Sequence, residues 1–221
     1  MSIGVIDLIR NRRSIRRFKE AFVRPEAIKV ILDAGRWAPS AGNRQPWDFV
    51  VVSENEEKEP IAELYVEAYR EEANDLLSRS DAEKLFKNPY EAKKRILSML
   101  DLLRDQILKP PYLILVCADT ELSRSYLFET GAAIQNMMLT ASDMKLGACC
   151  IEIATTLLGE YFDKQRLKDA LGIPPEIEIV ALVPIGKPEV IPPRPGRKIL
   201  RDFTHTEFYL EDKHDRDDTL Y

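Results

Sequence analysis

Five arginines fall within eight residues near the start of the chain, in the run RNRRSIRR at residues 10–17. A guanidinium group stays charged in proteins and presents a planar fork of donors that matches a phosphate group. The chain carries a formal net charge of −5, so its overall composition does not explain this local concentration of positive charge. The run predicts a bound anion, and phosphate is the best chemical match. A solvated basic face is the alternative that the run alone leaves open.

A second polar segment, APSAGNRQPW at residues 38–47, follows about 25 residues further on. Its amides, Asn43 and Gln45, offer donors and acceptors without adding charge. An ordinary loop after a helix would explain the Ser, Gly and Asn residues, but not the Gln-Pro-Trp that follows them. Together, the two segments predict a ligand with a phosphate at one end and a polar ring system at the other.

Length and composition exclude several classes of protein. A chain of 221 residues suits one large domain, and a pI near 5.3 argues against a general nucleic-acid binder. The three cysteines, Cys117, Cys149 and Cys150, have no metal-type spacing and only His205 and His214 could assist them, so no metal site is expected. Inert thiols in a reducing cytoplasm are the favoured interpretation. No signal peptide and no apolar run of about 20 residues is present, so no membrane partner is expected.

The order of apolar periods and chain breakers predicts an α+β fold with helices around one small sheet. Residues 60–109 have a helical, highly charged pattern, residues 211–221 are a charged tail, and Trp37 and Trp47 are expected in the core. The other predicted helices cover residues 3–11, 25–37 and 123–146, with a further one from Thr155 or Thr156 to Leu171. The predicted strands cover residues 48–53, 112–118, 149–153 and 177–183, and a short extended piece is predicted at 204–209.

At this point the sequence resembles the FMN-dependent nitroreductase family over nearly its whole length. The matching pieces, in order, are RRSIR at 12–16, APSAGNRQPW at 38–47, GAAIQN at 131–136, KLGACCIE at 145–152, and GKP at 186–188 followed by Arg194 and Arg197. The resemblance implies a nitroreductase-like α-β-α sandwich, with a small, mixed, mostly antiparallel sheet flanked by helices. It also implies a single FMN-binding domain over residues 1–210, in which 60–109 is a lid-like helical insertion.

The resemblance assigns the cofactor's phosphate to the arginine run. Arg12, Arg13 and Ser14 would bind it, with Arg197 and Arg194 joining from the C-terminal side. Arg16 corresponds to a basic residue at the pyrimidine edge of the flavin ring. A fixed cation there stabilises the negative charge that reduction places on the ring.

The resemblance further implies a homodimer with FMN sites at the subunit interface. The second segment would reach the flavin from the partner subunit, and the backbone after the two adjacent cysteines would lie near flavin N5. The residues concerned are Pro39, Ser40, Ala41, Asn43 and Gln45 from the second segment, and Cys150, Ile151 and Glu152 near N5.

The implied activity is a ping-pong transfer of hydride from NADH or NADPH, through the flavin, to a small aromatic acceptor such as a nitroaromatic or a quinone. Because the flavin carries the chemistry, no protein acid, base or nucleophile is expected to be catalytic. Two alternatives stay open. One is an enzyme of the same fold that consumes FMN by fragmenting it, and the other is a non-catalytic module that binds FMN or another phosphate ligand.

Overall fold

A computed structural model describes residues 4–78 and 88–209 of the chain. In these residues six strands form one sheet, in which β6 pairs with four others. The order is β1-β6-β3-β2, and β4 and β5 also pair with β6, in every case antiparallel. The strands are β1 Phe18–Lys19, β2 Trp47–Val52, β3 Tyr112–Asp119, β4 Gly147–Ala148, β5 Ile151–Glu152 and β6 Ile177–Pro188.

Eight α-helices surround the sheet in the described residues. They are α1 Val5–Asn11, α2 Pro25–Arg36, α3 Asn55–Ser78, α4 Pro89–Leu97, α5 Leu100–Leu108, α6 Tyr126–Asp143, α7 Leu157–Tyr161 and α8 Lys164–Leu171.

Strand β3 is buried on both faces, which is why its sequence is a continuous apolar run. Its alternate residues enter two separate cores. Leu113 and Leu115 pack with apolar side chains of α3, α5, α7 and α8, whereas Ile114 and Val116 pack with those of α2 and α6. Helices therefore cover both faces of the sheet, and the predicted α-β-α sandwich is confirmed.

One predicted helix is wrong in its extent. The segment from Thr156 to Leu171 forms two helices instead of one, because each has its own N-cap. The Thr156 hydroxyl accepts a hydrogen bond from the Gly159 N–H at 3.3 Å to begin α7, and the Asp163 carboxylate accepts one from Arg166 N–H at 2.9 Å to begin α8. Gly172, with a φ of 65°, ends α8.

The two tryptophans differ in their environments. Trp47 is buried, as predicted, but Trp37 is 73% exposed, so its predicted place in the core is wrong for this chain by itself. The guanidinium of Arg36 lies 5.4 Å from the centroid of the Trp37 ring. Residues 206–208 form a bend, in place of the extended piece predicted at 204–209. The tail at 211–221 lies outside the described residues.

The charged region at 60–109 contributes α3, α4 and α5, apart from residues 79–87, which lie outside the described part of the chain. Helix α3 contains Pro60 and continues to Ser78. Across residues 4–78 and 88–209, no helix is both long and apolar enough to cross a lipid bilayer.

Candidate functional site

The arginine run lines a cavity of about 240 Å³, here called the arginine cavity. No carboxylate lines it, so its four guanidinium groups give it a strongly positive field. Three proline residues also line it. The lining residues are Arg12, Arg13, Ser14, Arg16, Pro192, Pro193, Pro195 and Arg197.

The edge of the sheet holds the arginine run in place. Ile15 is 4% exposed, and its backbone N–H donates a hydrogen bond of 2.9 Å to the carbonyl of Ala148 in β4. Gly147 permits this close approach, since a Cβ atom there would lie 2.8 Å from Cβ of Ile15. Three residues later, Phe18 is buried in β1 against β6. Burial of Ile15 and Phe18 therefore anchors the segment whose arginines line the cavity.

Two guanidinium nitrogens near this cavity are buried without a hydrogen-bond partner among the described residues, namely Nη1 of Arg12 and Nε of Arg13. The Nη1 atom of Arg13 does donate, to the carbonyl oxygens of Arg10 and Arg12, at 2.8 and 2.9 Å. A buried donor attached to a charged group is costly when it is left unpaired. The donor set therefore fits an anion with several oxygen acceptors, and a phosphate group meets that description.

A second cavity of about 340 Å³, here called the tyrosine cavity, adjoins the first because Arg16 lines both. Its walls come from α3, α5, the start of α7 and the segment that joins β4 to β5. The lining residues are Arg16, Tyr65, Tyr69, Glu72, Gln106, Cys149, Cys150, Ile151, Glu152, Thr156, Leu157 and Leu158. The two cavities thus form an elongated site with a cationic end and an end of mixed polarity, joined at Arg16.

The β5 wall of the tyrosine cavity is held by its own hydrogen bonds. The Glu152 carboxylate accepts a hydrogen bond of 2.8 Å from the Thr155 backbone N–H. The Thr156 hydroxyl donates to the Glu152 carbonyl, also at 2.8 Å. This turn fixes Glu152 at the point where the chain leaves the sheet, so its carboxylate is engaged in local structure.

The α3 wall contains groups that sequence reasoning did not assign to the site, whereas Gln106 of α5 matches the family resemblance only weakly. Tyr65, Tyr69 and Glu72 are spaced four and three residues apart, which places them on one face of α3. The two tyrosine rings meet edge to face, with their centroids 5.1 Å apart. Gln106 is 3% exposed, and its Nε2 atom has no partner among the described residues. The helical spacing of the α3 residues is the signal that would have identified them.

Burial favours the uncharged form of several titratable groups in the tyrosine cavity. Burial, together with neighbouring Tyr69, raises the pKa of the Tyr65 hydroxyl. Burial also raises the pKa of the Cys149 thiol, although Arg16 acts in the opposite direction, and it raises the pKa of Cys150 to about 11. These thiols are therefore protonated at neutral pH, in agreement with the expectation that they are inert.

Most of the residues predicted for the site lie in one place. The structure brings together Arg12, Arg13, Ser14, Arg16 and Arg197 around the arginine cavity, and Cys150, Ile151 and Glu152 around the tyrosine cavity. Arg194 is exposed and lines neither cavity.

The segment at 39–45 also lines neither cavity. It forms a loop with Pro39 exposed before a short 3₁₀ turn, Ala41–Asn43. Ser40 and Gln45 are linked across the loop, because the Gln45 backbone N–H donates to the Ser40 hydroxyl at 2.9 Å. Its predicted contact with a cofactor in another subunit stays a prediction.

Comparison with known proteins gives a consistent result for most of the chain. A family model described as "Nitroreductase family" matches residues 9–187. A protein of Archaeoglobus fulgidus, provisionally named NADH dehydrogenase/NAD(P)H nitroreductase, is 28% identical over 187 residues, which span 83% of this chain and 85% of that protein.

Solved structures agree with this match. A provisionally named nitroreductase of Desulfovibrio desulfuricans in complex with FMN has a TM-score of 0.64 and 25% identity, covering 95% of this chain and 100% of that one. An FMN-dependent nitroreductase from Clostridium difficile, at 19% identity, shares the fold with a TM-score of 0.67, covering 93% of this chain and 100% of that one.

Proposed function

This chain belongs to the nitroreductase family, and from that premise we propose that it is an FMN-dependent oxidoreductase. In this proposal NADH or NADPH is the electron donor, and a small aromatic compound such as a nitroaromatic or a quinone is the acceptor. One observation carries the proposal: a cationic cavity with unpaired buried guanidinium donors adjoins a second cavity of mixed polarity, and Arg16 lines both. FMN has a phosphate at one end and a polar ring at the other, so its chemistry matches this arrangement.

The residues of the arginine cavity would hold the phosphate of FMN. Arg12 and Arg13 have the buried unpaired donors, Ser14 adds a hydroxyl, and Arg197 closes the cavity from the C-terminal side. Arg194, which is exposed, would act as a less direct source of positive charge. Charge-assisted hydrogen bonds of this kind contribute strongly to phosphate recognition.

The residues of the tyrosine cavity would surround the ring and the reacting partner. When it is bound, FMN supplies a site, its N5 atom, that accepts hydride from a nicotinamide and passes it to the acceptor, so that donor and acceptor use one pocket in turn. Arg16 would stabilise negative charge at the adjoining end of the cavity. The thiols of Cys149 and Cys150, which are protonated at neutral pH, offer no general base.

We further propose that the enzyme is a homodimer. Several large apolar side chains outside the core are exposed, among them Ile6 at 58%, Trp37 at 73% and Phe128 at 80%. Helix α1 has no buried residue, although its sequence has an apolar side. A second subunit would cover such surface, and the loop at 39–45 would then be available to complete the partner's site.

The test begins with the absorption spectrum of the purified protein, followed by titration with FMN. An enzyme of the proposed kind binds FMN and oxidises NADH or NADPH when a quinone or nitroaromatic is supplied. Bound FMN without turnover would indicate a non-catalytic binding module, and breakdown of FMN under oxygen would indicate an enzyme that consumes its flavin. A protein that takes up no FMN would overturn the proposal.

The Arg16→Ala variant tests the role of the residue shared by both cavities. Loss of a fixed cation beside the ring should lower turnover by roughly tenfold or more, with a smaller loss of FMN affinity and a lower flavin reduction potential. Arg17→Ala is the matched control, because Arg17 lines neither cavity and pairs with Glu189 at 3.2 Å. Equal losses of turnover and of affinity in Arg16→Ala would contradict an electronic role.

A further inference from the structure

Glu129 is a carboxylate in α6 that is only 2% exposed. Its Oε1 atom accepts a hydrogen bond of 2.7 Å from the backbone N–H of Ala41, 88 positions earlier in the chain. Its Oε2 atom is buried and has no partner among the described residues. Burial of a carboxylate is costly unless its oxygens find hydrogen-bond donors, and the Ala41 N–H is the donor that Oε1 has. The contact with Ala41 therefore needs an explanation of its own.

The loop that Glu129 contacts has an unusual backbone. Gly42, Asn43 and Gln45 have φ angles of 59°, 55° and 49°, in the left-handed region. Asn and Gln residues incur strain in this region, so surrounding contacts must enforce the conformation. The bond from Gln45 to Ser40 closes the loop internally, but it does not fix the loop relative to the rest of the subunit.

In the described residues, only two side-chain hydrogen bonds join this loop to α6 or to the residues just before it. One joins Ala41 to Glu129, and the other runs from Nη1 of Arg44 to the carbonyl of Leu122 at 3.0 Å. The Arg44 side chain is exposed, so water competes with its bond. The bond to Glu129 is part-buried, short and made to a carboxylate, and is therefore the stronger of the two.

We propose that Glu129 is a positioning residue, which fixes the loop at 40–45 in the shape that completes the cofactor site of the partner subunit. This inference rests on the proposed function, since it requires FMN and a shared site. Glu129 itself lines neither cavity, so it acts through the loop. Without Glu129, the competent loop conformation is populated less, and the apparent affinity for FMN falls in proportion.

The first test compares Glu129→Ala, Glu129→Gln and the control Glu121→Gln. Glu121 is an exposed carboxylate shortly before α6. Glu129→Ala should raise the dissociation constant for FMN by roughly ten- to a hundredfold, the range for loss of a charge-assisted hydrogen bond. Glu129→Gln keeps an oxygen acceptor for Ala41 and should recover much of the affinity, whereas the control should match the wild type.

The second test asks in which subunit the loop acts. A subunit with Arg12→Ala and a subunit with Glu129→Ala are co-expressed with different affinity tags, and the mixed dimer is purified through both tags. In a shared site, the mixed dimer has one site with both defects and one site with neither. It should therefore bind one FMN tightly, although each variant alone binds FMN weakly. If Glu129→Ala does not fold, Ala41→Pro, which removes the N–H that donates to Glu129, replaces it in the same mixed dimer.

The possible outcomes separate this inference from the proposed function. Recovery of one tight site in the mixed dimer supports it. Weak binding at both sites of the mixed dimer, failure to obtain a mixed dimer, or unchanged FMN affinity in Glu129→Ala would each overturn it while the wild type still binds FMN. If the wild type itself binds no FMN, the proposed function fails first and this inference falls with it.

Discussion

Gly147 is the glycine whose replacement most directly tests how the sheet positions the arginine run. A Cβ atom at this position would lie 2.8 Å from both Cβ and Cγ2 of Ile15, and 2.9 Å from its Cγ1. Carbon atoms normally approach to about 3.5–4.0 Å, so the added methyl group must displace one segment by roughly 0.7 Å or more. Ile15 is β-branched and buried, and its backbone N–H is bonded to Ala148 in β4, so its side chain has little room to turn away.

Overpacking of this kind typically costs about 1–3 kcal/mol in the free energy of unfolding. We therefore expect Gly147→Ala to lose that amount in urea denaturation of the protein without added FMN. Because Ile15 lies between Ser14 and Arg16, the same displacement should move the donors that we propose for the phosphate, and it should weaken FMN binding beyond the loss of stability. Gly4→Ala is the matched control, since its Cβ would meet nothing closer than 3.8 Å, and it should change stability by less than about 0.5 kcal/mol.

A double-variant cycle isolates the contact. Ile15→Ala removes both γ-carbons, and with them two of the three close contacts of the new methyl group. The loss of stability in Gly147→Ala/Ile15→Ala should therefore be smaller than the sum of the two single losses. The reasoning fails if the two losses are additive, or if Gly147→Ala by itself is as stable as Gly4→Ala.

Three further predictions concern titratable groups whose pKa is shifted by burial or partial burial. Lys58 donates to the carbonyls of Leu108 and Pro110 at 2.9 and 2.8 Å, so Lys58→Met should cost about 1–3 kcal/mol in urea denaturation at pH 7. Burial lowers the pKa of the Lys58 amine from 10.5, so just below that pH the unfolded chain binds more protons than the folded chain. The free energy of unfolding of the wild type, relative to that of Lys58→Met, should therefore increase as the pH rises toward 10.5. A difference that stays constant with pH would contradict this. Because burial raises the pKa of the Cys150 thiol to about 11, native protein at pH 8 should react with iodoacetamide on the order of a hundredfold more slowly than unfolded protein, as followed by mass spectrometry. Burial raises the pKa of the Glu72 carboxyl, which lines the tyrosine cavity. As the pH rises through that raised value, Glu72 becomes negatively charged and should repel the anion 4-nitrobenzoate. Discrimination against 4-nitrobenzoate relative to its methyl ester should therefore strengthen. Glu72→Gln should remove this pH dependence from the ratio of the two kcat/KM values, and a ratio that still varies with pH would exclude Glu72 as its source.

Many of the helices and strands could be predicted from local sequence patterns, because tertiary contacts did not override those patterns. The apolar run of β3 predicts a strand that is buried on both faces, and the structure has that strand in the middle of the sandwich. Pro25 at the first turn and an apolar stripe predict α2 within one residue of its end at Arg36. The break between α7 and α8 was missed, because the cap that begins α8, Asp163, lies inside a pattern that also suits one continuous helix.

The candidate site was predicted unevenly, for a related reason. Its arginine half could be read from the sequence, because Arg12, Arg13, Ser14 and Arg16 are neighbours in the chain and their charge is unusual there. The tyrosines of α3 share a helical spacing, which places them on one face of the helix but does not tell what that face meets. They join the site only because α3 and α5 pack on the face of the sheet next to β5.

The sequence by itself determined the local features of this protein: a run of cations suited to an anion, amides in a polar loop, and strand and helix periods that assign the α+β sandwich. Those properties are local, since they depend on residue type and short spacing. Only the tertiary structure decided that Arg16 joins two cavities, and that Glu129 reaches Ala41 across 88 positions of chain. Such contacts depend on how helices and strands pack, which is a property of the whole chain that no short segment contains.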